Sequence, residues 1–321
     1  MDRALYGPDG FFVSGGGPGA HFRTSVHTAA GFDAAVLRLL DRVDAALGRP
    51  ARLQVVDVGA GRAELLTGLA ALAPPELARR LRLTAVELAP APDRPVDGIE
   101  WRDTLPDRVT GLLLANEWLD NVPLEVVESD GAGGWRTVLV DPTTGTETVG
   151  GPVGPLDAQW LRTWWPAGFR AEVGRTRDLA WADAVRAVDR GLAVAVDYGH
   201  RGGQRPVAGS LTGFRAGRQV PPVPDGTCDL TAHVAIDAVA AAGQAVAGLP
   251  YTLMAQRDAL RALGVDGRRP PLSLASTDPA GYLRALAAAS AAAELTDPAG
   301  LGGHWWLLQP VGVEPAAVMA R

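Results

Sequence analysis

Apolar and polar positions follow two rhythms along this chain. Short continuous apolar runs end abruptly in glycine or an acid, and between them apolar residues return at helical spacing. Across residues 32–47 the apolar positions are Phe32, Val36, Leu39, Leu40, Val43 and Leu47, with Gly48 as a stop signal. That spacing predicts an amphipathic helix. Residues 53–58 form a short apolar run and predict a buried parallel strand. The run ends in Gly59-Ala60-Gly61-Arg62-Ala63, and a helical pattern then starts at Glu64 and lasts until Pro74-Pro75. Residues 81–86 predict a second strand, which terminates in Glu87. Strand, glycine turn, helix, strand and acid make a βαβ unit.

The alternation continues. Residues 98–101 predict a short third strand and 111–115 a fourth, which runs into Asn116-Glu117-Trp118-Leu119-Asp120. Beyond Glu125 the texture changes: 125–128 and 135–140 flank Asp130-Gly131-Ala132-Gly133-Gly134 and predict a β-hairpin. Residues 150–155 read as a Pro/Gly-rich link and 156–190 as a Trp-rich helical region. Residues 192–196 read as a strand ending in Asp197-Tyr198-Gly199-His200. Residues 201–231 are loop-rich, with Thr231 a candidate cap for a helix running through Ala242. Helices are predicted over 252–263 and 279–293, and a last strand over 303–308. The first 31 residues read as loop, with a turn at Gly7-Pro8-Asp9-Gly10 and a flexible glycine stretch at 15–19. The β/α alternation predicts a doubly wound α/β sheet with the hairpin and 201–231 as insertions.

Composition narrows the function classes. The chain has 321 residues, 47% hydrophobic and 21% charged, enough for a real core in one elaborated domain or two small ones. With 30 basic and 36 acidic residues the net charge is −6, so neither nucleic acid nor a membrane surface is an expected partner. Every basic residue is arginine. The absence of lysine excludes a P-loop and Schiff-base chemistry. The single cysteine, Cys228, allows no disulfide within the chain and reads as a small buried hydrophobe. Five histidines (21, 27, 200, 233, 304) show no metal-ligand spacing, so no metal is expected. The uncharged stretch 238–256 is broken by Gly243, Gly248 and Pro250 and falls short of a membrane span. The opening residues are polar and turn-rich, and the expected location is the cytoplasm.

In a doubly wound sheet ligands bind beyond the carboxyl ends of the strands. Asp57, Gly59, Gly61, Glu87, Asn116, Glu117, Asp120, Asp197 and Tyr198 all fall at or just past such ends. A dinucleotide site wants Gly-x-Gly-x-x-Gly, and Glu64 occupies the position of its last glycine. A carboxylate at the start of that helix repels a diphosphate. Asp57 and Glu64 around a glycine turn suit a ligand with an amino group and a sulfonium. S-adenosylmethionine is such a ligand and is preferred here to a nicotinamide dinucleotide. Glu87 is placed to accept hydrogen bonds from ribose hydroxyls with either ligand.

Several motifs together carry a resemblance. They are Val55-Val56-Asp57-Val58-Gly59-Ala60-Gly61-Arg62, Val86-Glu87-Leu88-Ala89-Pro90, Ala115-Asn116-Glu117-Trp118-Leu119-Asp120-Asn121-Val122-Pro123, Val196-Asp197-Tyr198-Gly199-His200 and Asp229-Leu230-Thr231-Ala232-His233-Val234. With the opening Tyr6-Gly7-Pro8-Asp9-Gly10-Phe11-Phe12 and His21-Phe22-Arg23-Thr24-Ser25, they resemble the ordered motifs of the MidA-type methyltransferases. That family includes the mitochondrial complex I assembly methyltransferases. The resemblance implies a Rossmann-like, seven-stranded class I methyltransferase sheet that binds S-adenosylmethionine. It implies a lid or substrate segment over 1–31, cofactor-domain halves over 32–124 and 191–321, and a hairpin and helical insertion over 125–190. Implied cofactor contacts are Asp57, Gly59, Ala60, Gly61, Glu87, Leu88, Asp103, Asn116 and Asp197, with Asp103 toward the adenine amino group. Implied catalytic residues are Glu117, Asp120 and His233. The implied partner is a protein substrate, methylated on arginine, with a respiratory-complex subunit as the candidate; a homodimer is left open. Ala63 replaces a family glycine, and Val26-His27 replaces a usual Pro-Glu, which bears on substrate more than on cofactor. Two other readings stand beside this one: a non-catalytic assembly factor that keeps the cofactor fold, and a nicotinamide dehydrogenase disfavoured by Glu64.

Overall fold

The computed structural model describes residues 1–14, 25–27, 31–92, 94–265 and 267–315. The glycine stretch 15–19 and the 21–24 part of the N-terminal motif lie outside them.

Seven strands form the central sheet: β1 (Leu53–Val58), β2 (Leu81–Val86), β3 (Ile99–Arg102), β4 (Val109–Asn116), β5 (Val188–Asp197), β6 (Thr252–Ala255) and β7 (Trp305–Val311). Their spatial order is β6-β7-β5-β4-β1-β2-β3. β7 runs antiparallel to both neighbours, and the other pairings are parallel. This is the seven-stranded α/β sheet that the sequence motifs imply. Chain order reverses on either side of β1, so the switch point falls between β1 and β4.

Two hydrophobic cores cover the two faces, and the strand alternation sorts residues between them. Val55, Leu112, Leu114, Leu192 and Val194 pack with helices α1 (Gly31–Ala46) and α2 (Glu64–Leu72). Val56, Leu113, Ala115, Ala193 and Ala195 pack under α3 (Arg175–Ala187) and α4 (Ile236–Ala247). Burial on both faces is why β1, β4 and β5 read as unbroken apolar runs. The first core is completed by α5 (Gln256–Ala262) and α6 (Pro279–Thr296), through Leu260 and Leu295.

Three smaller sheets flank the crevice end. The hairpin 125–140 is present, with Ser129 opposite Trp135. It belongs to a four-stranded antiparallel sheet completed by Glu147–Pro152 and Arg170–Val173. Residues 150–152, expected as a link, are therefore the end of a strand, and the expected helix over 156–190 is split by another. The loop-rich stretch holds a three-stranded antiparallel sheet in which Thr212–Arg215 lies between Arg218–Val220 and Asp229–Thr231. Thr231 caps no helix: α4 starts five residues later, and the Thr231 hydroxyl bonds Asp120 at 2.5 Å. Residues 252–255 are strand β6 and not helix, because they pair along β7 at the sheet edge. There they are half-buried, and an apolar run is not required of them.

The N-terminal residues form two short helices, Asp2–Tyr6 and Phe11–Ser14, where loop was expected. Leu5 and Phe11 pack with Cys228 and Leu230, which makes Cys228 the buried hydrophobe expected of it. No helix among the described residues is long and apolar enough to cross a membrane.

The packing of α3 on α4 depends on Gly243. A methyl group there would lie 2.4 Å from the Trp181 indole nitrogen, and Trp181 is wholly buried. Gly243→Ala is expected to lower stability by about 1–3 kcal/mol through overpacking, as read by urea denaturation; an unchanged midpoint would show that the two helices slide apart freely.

Candidate functional site

The carboxyl ends of β1, β2 and β4 open onto a cavity of about 720 Å³. One wall is the glycine turn after β1. Gly59 and Gly61 take φ of 71° and 56°, which glycine adopts without strain, and Ala63 takes 62°. At Gly59 a side chain is also excluded, since its Cβ would meet Trp118 at 2.9 Å.

The backbone amides of this turn are already bonded inside the protein. Gly59 and Ala60 donate to the Val86 carbonyl at 2.9 and 3.2 Å, and Ala63 donates to Ala60 at 2.7 Å. Gly61 donates to Glu87 Oε2 at 2.9 Å, and Arg62 to Glu64 Oε2 at 3.1 Å. A diphosphate needs such amides free and directed at it. This turn offers none of the five.

Glu87 stands at the end of β2 with each carboxylate oxygen engaged once: Oε2 by Gly61 and Oε1 by the Ala89 amide at 3.0 Å. Each oxygen keeps further acceptor capacity toward the cavity that Glu87 lines. Burial raises its pKa, and the amides of Ala89 and Gly61 oppose the rise. Beside it Leu88, Asp103 and Leu105 line the cavity, and Leu88 is 61% exposed, an apolar side chain open to a flat apolar ligand. Tyr6, Phe12 and Val13 close the wall from the N-terminal helices, and the Tyr6 hydroxyl donates to the Asn121 carbonyl at 3.4 Å.

The opposite end of the cavity is Glu117, just past β4. It is not glycine, yet its φ is 49°, while its amide still donates to the Val196 carbonyl at 2.8 Å. Its Oε1 accepts from the Ser25 amide at 3.1 Å. Burial pushes its carboxyl up to about 8, helped by the charges of Asp120 and Asp229 and opposed by Ser25 and Asn116.

Behind Glu117 lies a buried polar network that reaches the cavity lining through Asn121. Asp120 Oδ2 accepts from the hydroxyls of Tyr198 and Thr231. Asp197 is taken up by the amides of Leu119 at 2.9 Å, Asp120 at 3.3 Å and Tyr198 at 3.0 Å. Arg177, 1% exposed, donates to the carbonyls of Asp120 (2.5 Å), Ala232 (2.9 Å), Val122 and His233 (both 3.2 Å). Asn121 donates to Asp229 at 2.8 Å, and burial holds that carboxyl up at about 8.

Among the residues expected from sequence, Gly59, Gly61, Glu87, Leu88, Asp103 and Glu117 line the cavity. Asp57, Ala60, Asn116 and Asp197 do not. Asp57 is buried under the turn and its carboxyl is raised well above the usual range, by burial first and then by Glu64, Glu87 and Asp33. Glu64 folds back onto Arg62. The pair of acids expected to meet the ligand is thus replaced by Glu87, Asp103 and Glu117. Of the three expected catalytic residues only Glu117 faces the cavity. Asp120 is enclosed by Tyr198 and Thr231, and His233 is exposed, its ring stacked edge-on to Tyr198 at 5.3 Å. Tyr6, Phe12, Trp118, Asn121, Ser25 and Arg177 were not singled out as site residues. No residue spacing could reveal them, since each reaches the site from a distant element or packs on a neighbouring turn. Among the described residues no cluster of three or more His, Cys, Asp or Glu is arranged for a metal ion.

A family model described as "Putative S-adenosyl-L-methionine-dependent methyltransferase" matches residues 39–253. No curated protein matches by sequence. A crystal structure from Burkholderia thailandensis bound to S-adenosyl-homocysteine is similar at 26% identity and a TM-score of 0.80, covering 100% of this chain and 89% of that one. A native structure from the same organism is similar at 26% identity and a TM-score of 0.77, covering 100% and 88%.

Two outcomes are expected from the site's electrostatics. Replacing Arg177 by Met leaves four carbonyls without that donor and removes the positive charge beside Asp120 and Asp197. The expected loss is about 3–5 kcal/mol in urea denaturation, and a loss below about 1 kcal/mol would mean that the loops hold themselves. The second concerns pH. Burial raises Glu117 and Asp229 to about 8, Asp178 to about 7 and Asp33 to about 6. Unfolded carboxyls titrate near about 4, so the folded chain binds protons that the unfolded chain has released. This contribution to stability is full below the unfolded pKa and is lost as pH rises through 6 to 8. The melting temperature should therefore fall from about pH 5.5 to about pH 8.5, with a shallower fall for Glu117→Gln; a rising profile would contradict the burial of these acids.

Proposed function

The chain belongs to this methyltransferase family, and we propose that it moves the methyl group of S-adenosylmethionine onto a protein side chain, the guanidinium of an arginine. The observation that carries the reading is the glycine turn with every amide from 59 to 63 already bonded. It supports a cationic ligand over a diphosphate and weighs against the nicotinamide dehydrogenase reading. The cavity lining has the same bias among the described residues, with carboxylates at Glu87, Asp103 and Glu117 and one cation, Arg62.

Those residues fit the cofactor part by part. Glu87 would hold the ribose hydroxyls through its open acceptor positions, and Leu88, Leu105 and Asp103 would hold the adenine. The Gly59–Gly61 turn and Glu117 would face the amino-acid and sulfonium end. When bound, the cofactor supplies a methyl group on a positively charged sulfur, ready for in-line displacement.

The acceptor's needs fall on Glu117. A guanidinium is protonated in water, and an opposite charge nearby favours the ionised carboxyl. Through its other oxygen, Oε2, Glu117 then accepts a charge-assisted N–H bond from the nitrogen that receives the methyl group, orients it and takes its proton. Burial keeps water from competing. The protein acceptor, with a respiratory-complex subunit as the candidate, follows from the motif resemblance. A second reading, a cofactor-binding assembly factor without catalysis, is favoured by one observation: Asp120 and His233 stand outside the cavity lining, leaving Glu117 as the single expected catalytic group on it.

Methyl-label transfer onto a cell lysate, with mass spectrometry of the labelled proteins, tests the reading. Wild type should label arginine on a defined protein, and Glu117→Gln should lower labelling by about 100-fold or more. Binding of S-adenosyl-homocysteine by calorimetry should stay within about 2-fold, since the substitution keeps the shape of the side chain. Strong binding with no labelling by wild type would favour the assembly factor; loss of binding in Glu117→Gln would make Glu117 a cofactor ligand instead.

A further inference from the structure

A buried histidine approaches Glu117 from the start of β7, an inner strand of the central sheet. His304 stands at the entry to β7, 8% exposed, with its ring against Tyr198 at 5.4 Å between centroids. Its Nδ1 is buried without a hydrogen-bond partner and lies 4.0 Å from Glu117 Oε1. That oxygen already accepts from the Ser25 amide at 3.1 Å and from Asn116 Nδ2 at 3.5 Å. Three nitrogens converge on one oxygen, and the third is the one left without a partner.

A single residue sets this arrangement through its backbone and its side chain. Gln256 is fully buried; its backbone N–H donates to the His304 carbonyl at 2.7 Å, and its side-chain Nε2 reaches the Ser25 hydroxyl at 3.2 Å. The Trp306 indole donates to Gln256 Oε1 at 3.1 Å. Gln256 therefore holds the backbone of His304 and the side chain of Ser25, and so brackets both distant partners of Glu117.

We propose that His304 is a positioning residue for Glu117: in its Nδ1–H tautomer it donates the third hydrogen bond to Oε1 and fixes the carboxylate toward the cavity. The proposal rests on the role given to Glu117 above and concerns how that group is held. The other titratable groups facing the pair are Asp120, Asp197 and Asp229 toward Glu117, and His233 and Tyr198 toward His304. Burial and His233 push His304 down to about 4, so the ring is neutral at neutral pH and donates without adding charge. A neutral imidazole carries its proton on one nitrogen only, and a buried polar atom left unpaired is costly. Pairing Nδ1–H with Oε1 removes that cost and opposes the burial that holds Glu117 up. The separation closes by a small rotation of either side chain.

Long-range proton–nitrogen NMR of the imidazoles in the full chain tests this directly, with His304 assigned through the signal lost in His304→Asn. Expected is a protonated Nδ1 and a bare Nε2, in the free protein and with S-adenosyl-homocysteine; a proton on Nε2 overturns the proposal. Carbon NMR of the Glu117 carboxyl gives the second readout. His304→Phe should raise its titration midpoint by about one pH unit, a tenfold change. His304→Asn, whose amide can donate from the place of Nδ1, should restore it. An unmoved midpoint in His304→Phe overturns the proposal; should that variant not fold, the wild-type tautomer still decides. Calorimetry with S-adenosyl-homocysteine on the same wild-type sample is separate: failure to bind would sink the cofactor reading while the tautomer result stood.

Discussion

The guanidinium of Arg177 ties together two loop segments that lie behind Glu117. Its nitrogens take the carbonyls of Asp120 and Val122 on one segment and of Ala232 and His233 on another, more than a hundred residues later. These carbonyls lie outside the strand ladders, and beyond one bond from the Ala232 amide to the Asp120 carbonyl at 3.3 Å their donor is Arg177. A buried arginine supplies several donors from one rigid plane. Burial lowers its pKa, and Asp120, Asp197 and Glu172 act against that. The positive charge and the acids around it are therefore mutually required: either alone would be a buried, uncompensated charge.

That requirement explains why so many raised carboxyls gather at one end of the sheet. Asp57, Asp120 and Asp197 are held above the ordinary range by burial, and Glu117 and Asp229 are held near 8. Such a concentration is unfavourable in the empty protein and favourable once a cation arrives. Arg177 partly balances the acids that face inward. Glu117, Glu87 and Asp103 remain on the cavity side, where the proposed cationic cofactor and acceptor would meet them. The structure thus divides its acids by distance from the crevice: the buried set shapes the loops, and the lining set is available to a ligand.

How far this was legible from sequence follows from the range of each interaction. β1, β2 and β4 are legible because burial on both faces forces largely apolar runs, and Glu87 and Glu117 stand out at or just past the ends of such runs. β3 and β6 are partly buried edge strands, and β6 reads as helix because its short apolar stretch, Leu253-Met254-Ala255, leads straight into the helix that starts at Gln256. Thr231 looked like a cap because Thr precedes helices, and nothing local announces a bond to Asp120 more than a hundred residues away. Arg177 is one of 30 basic residues, on a helix whose other arginines meet solvent or surface acids. His304 and Gln256 belong to the last quarter of the chain, and only the antiparallel return of β7 brings them to Glu117. Turn chemistry and apolar runs are local properties; the polar brackets of the site are not.

The placement of Glu117 shows how backbone and side chain share the work. Its amide makes the last parallel-sheet bond to Val196, which fixes the residue to the sheet. A φ of 49° then bends the chain away at once, in a region that costs a non-glycine residue roughly 1–3 kcal/mol. Glycine would relieve this strain but would carry no carboxylate. Next along the chain, Trp118 packs against Gly59, whose missing side chain leaves room for the indole. The bend after β4 is thereby locked against the glycine turn after β1, across the switch point. The backbone brings the carboxyl of Glu117 to the cavity, and Ser25, Asn116 and, in the proposal above, His304 hold one of its oxygens. Raised by burial to about 8, its pKa is one that an arriving positive charge can lower, which is what proton transfer at neutral pH demands of a carboxylate.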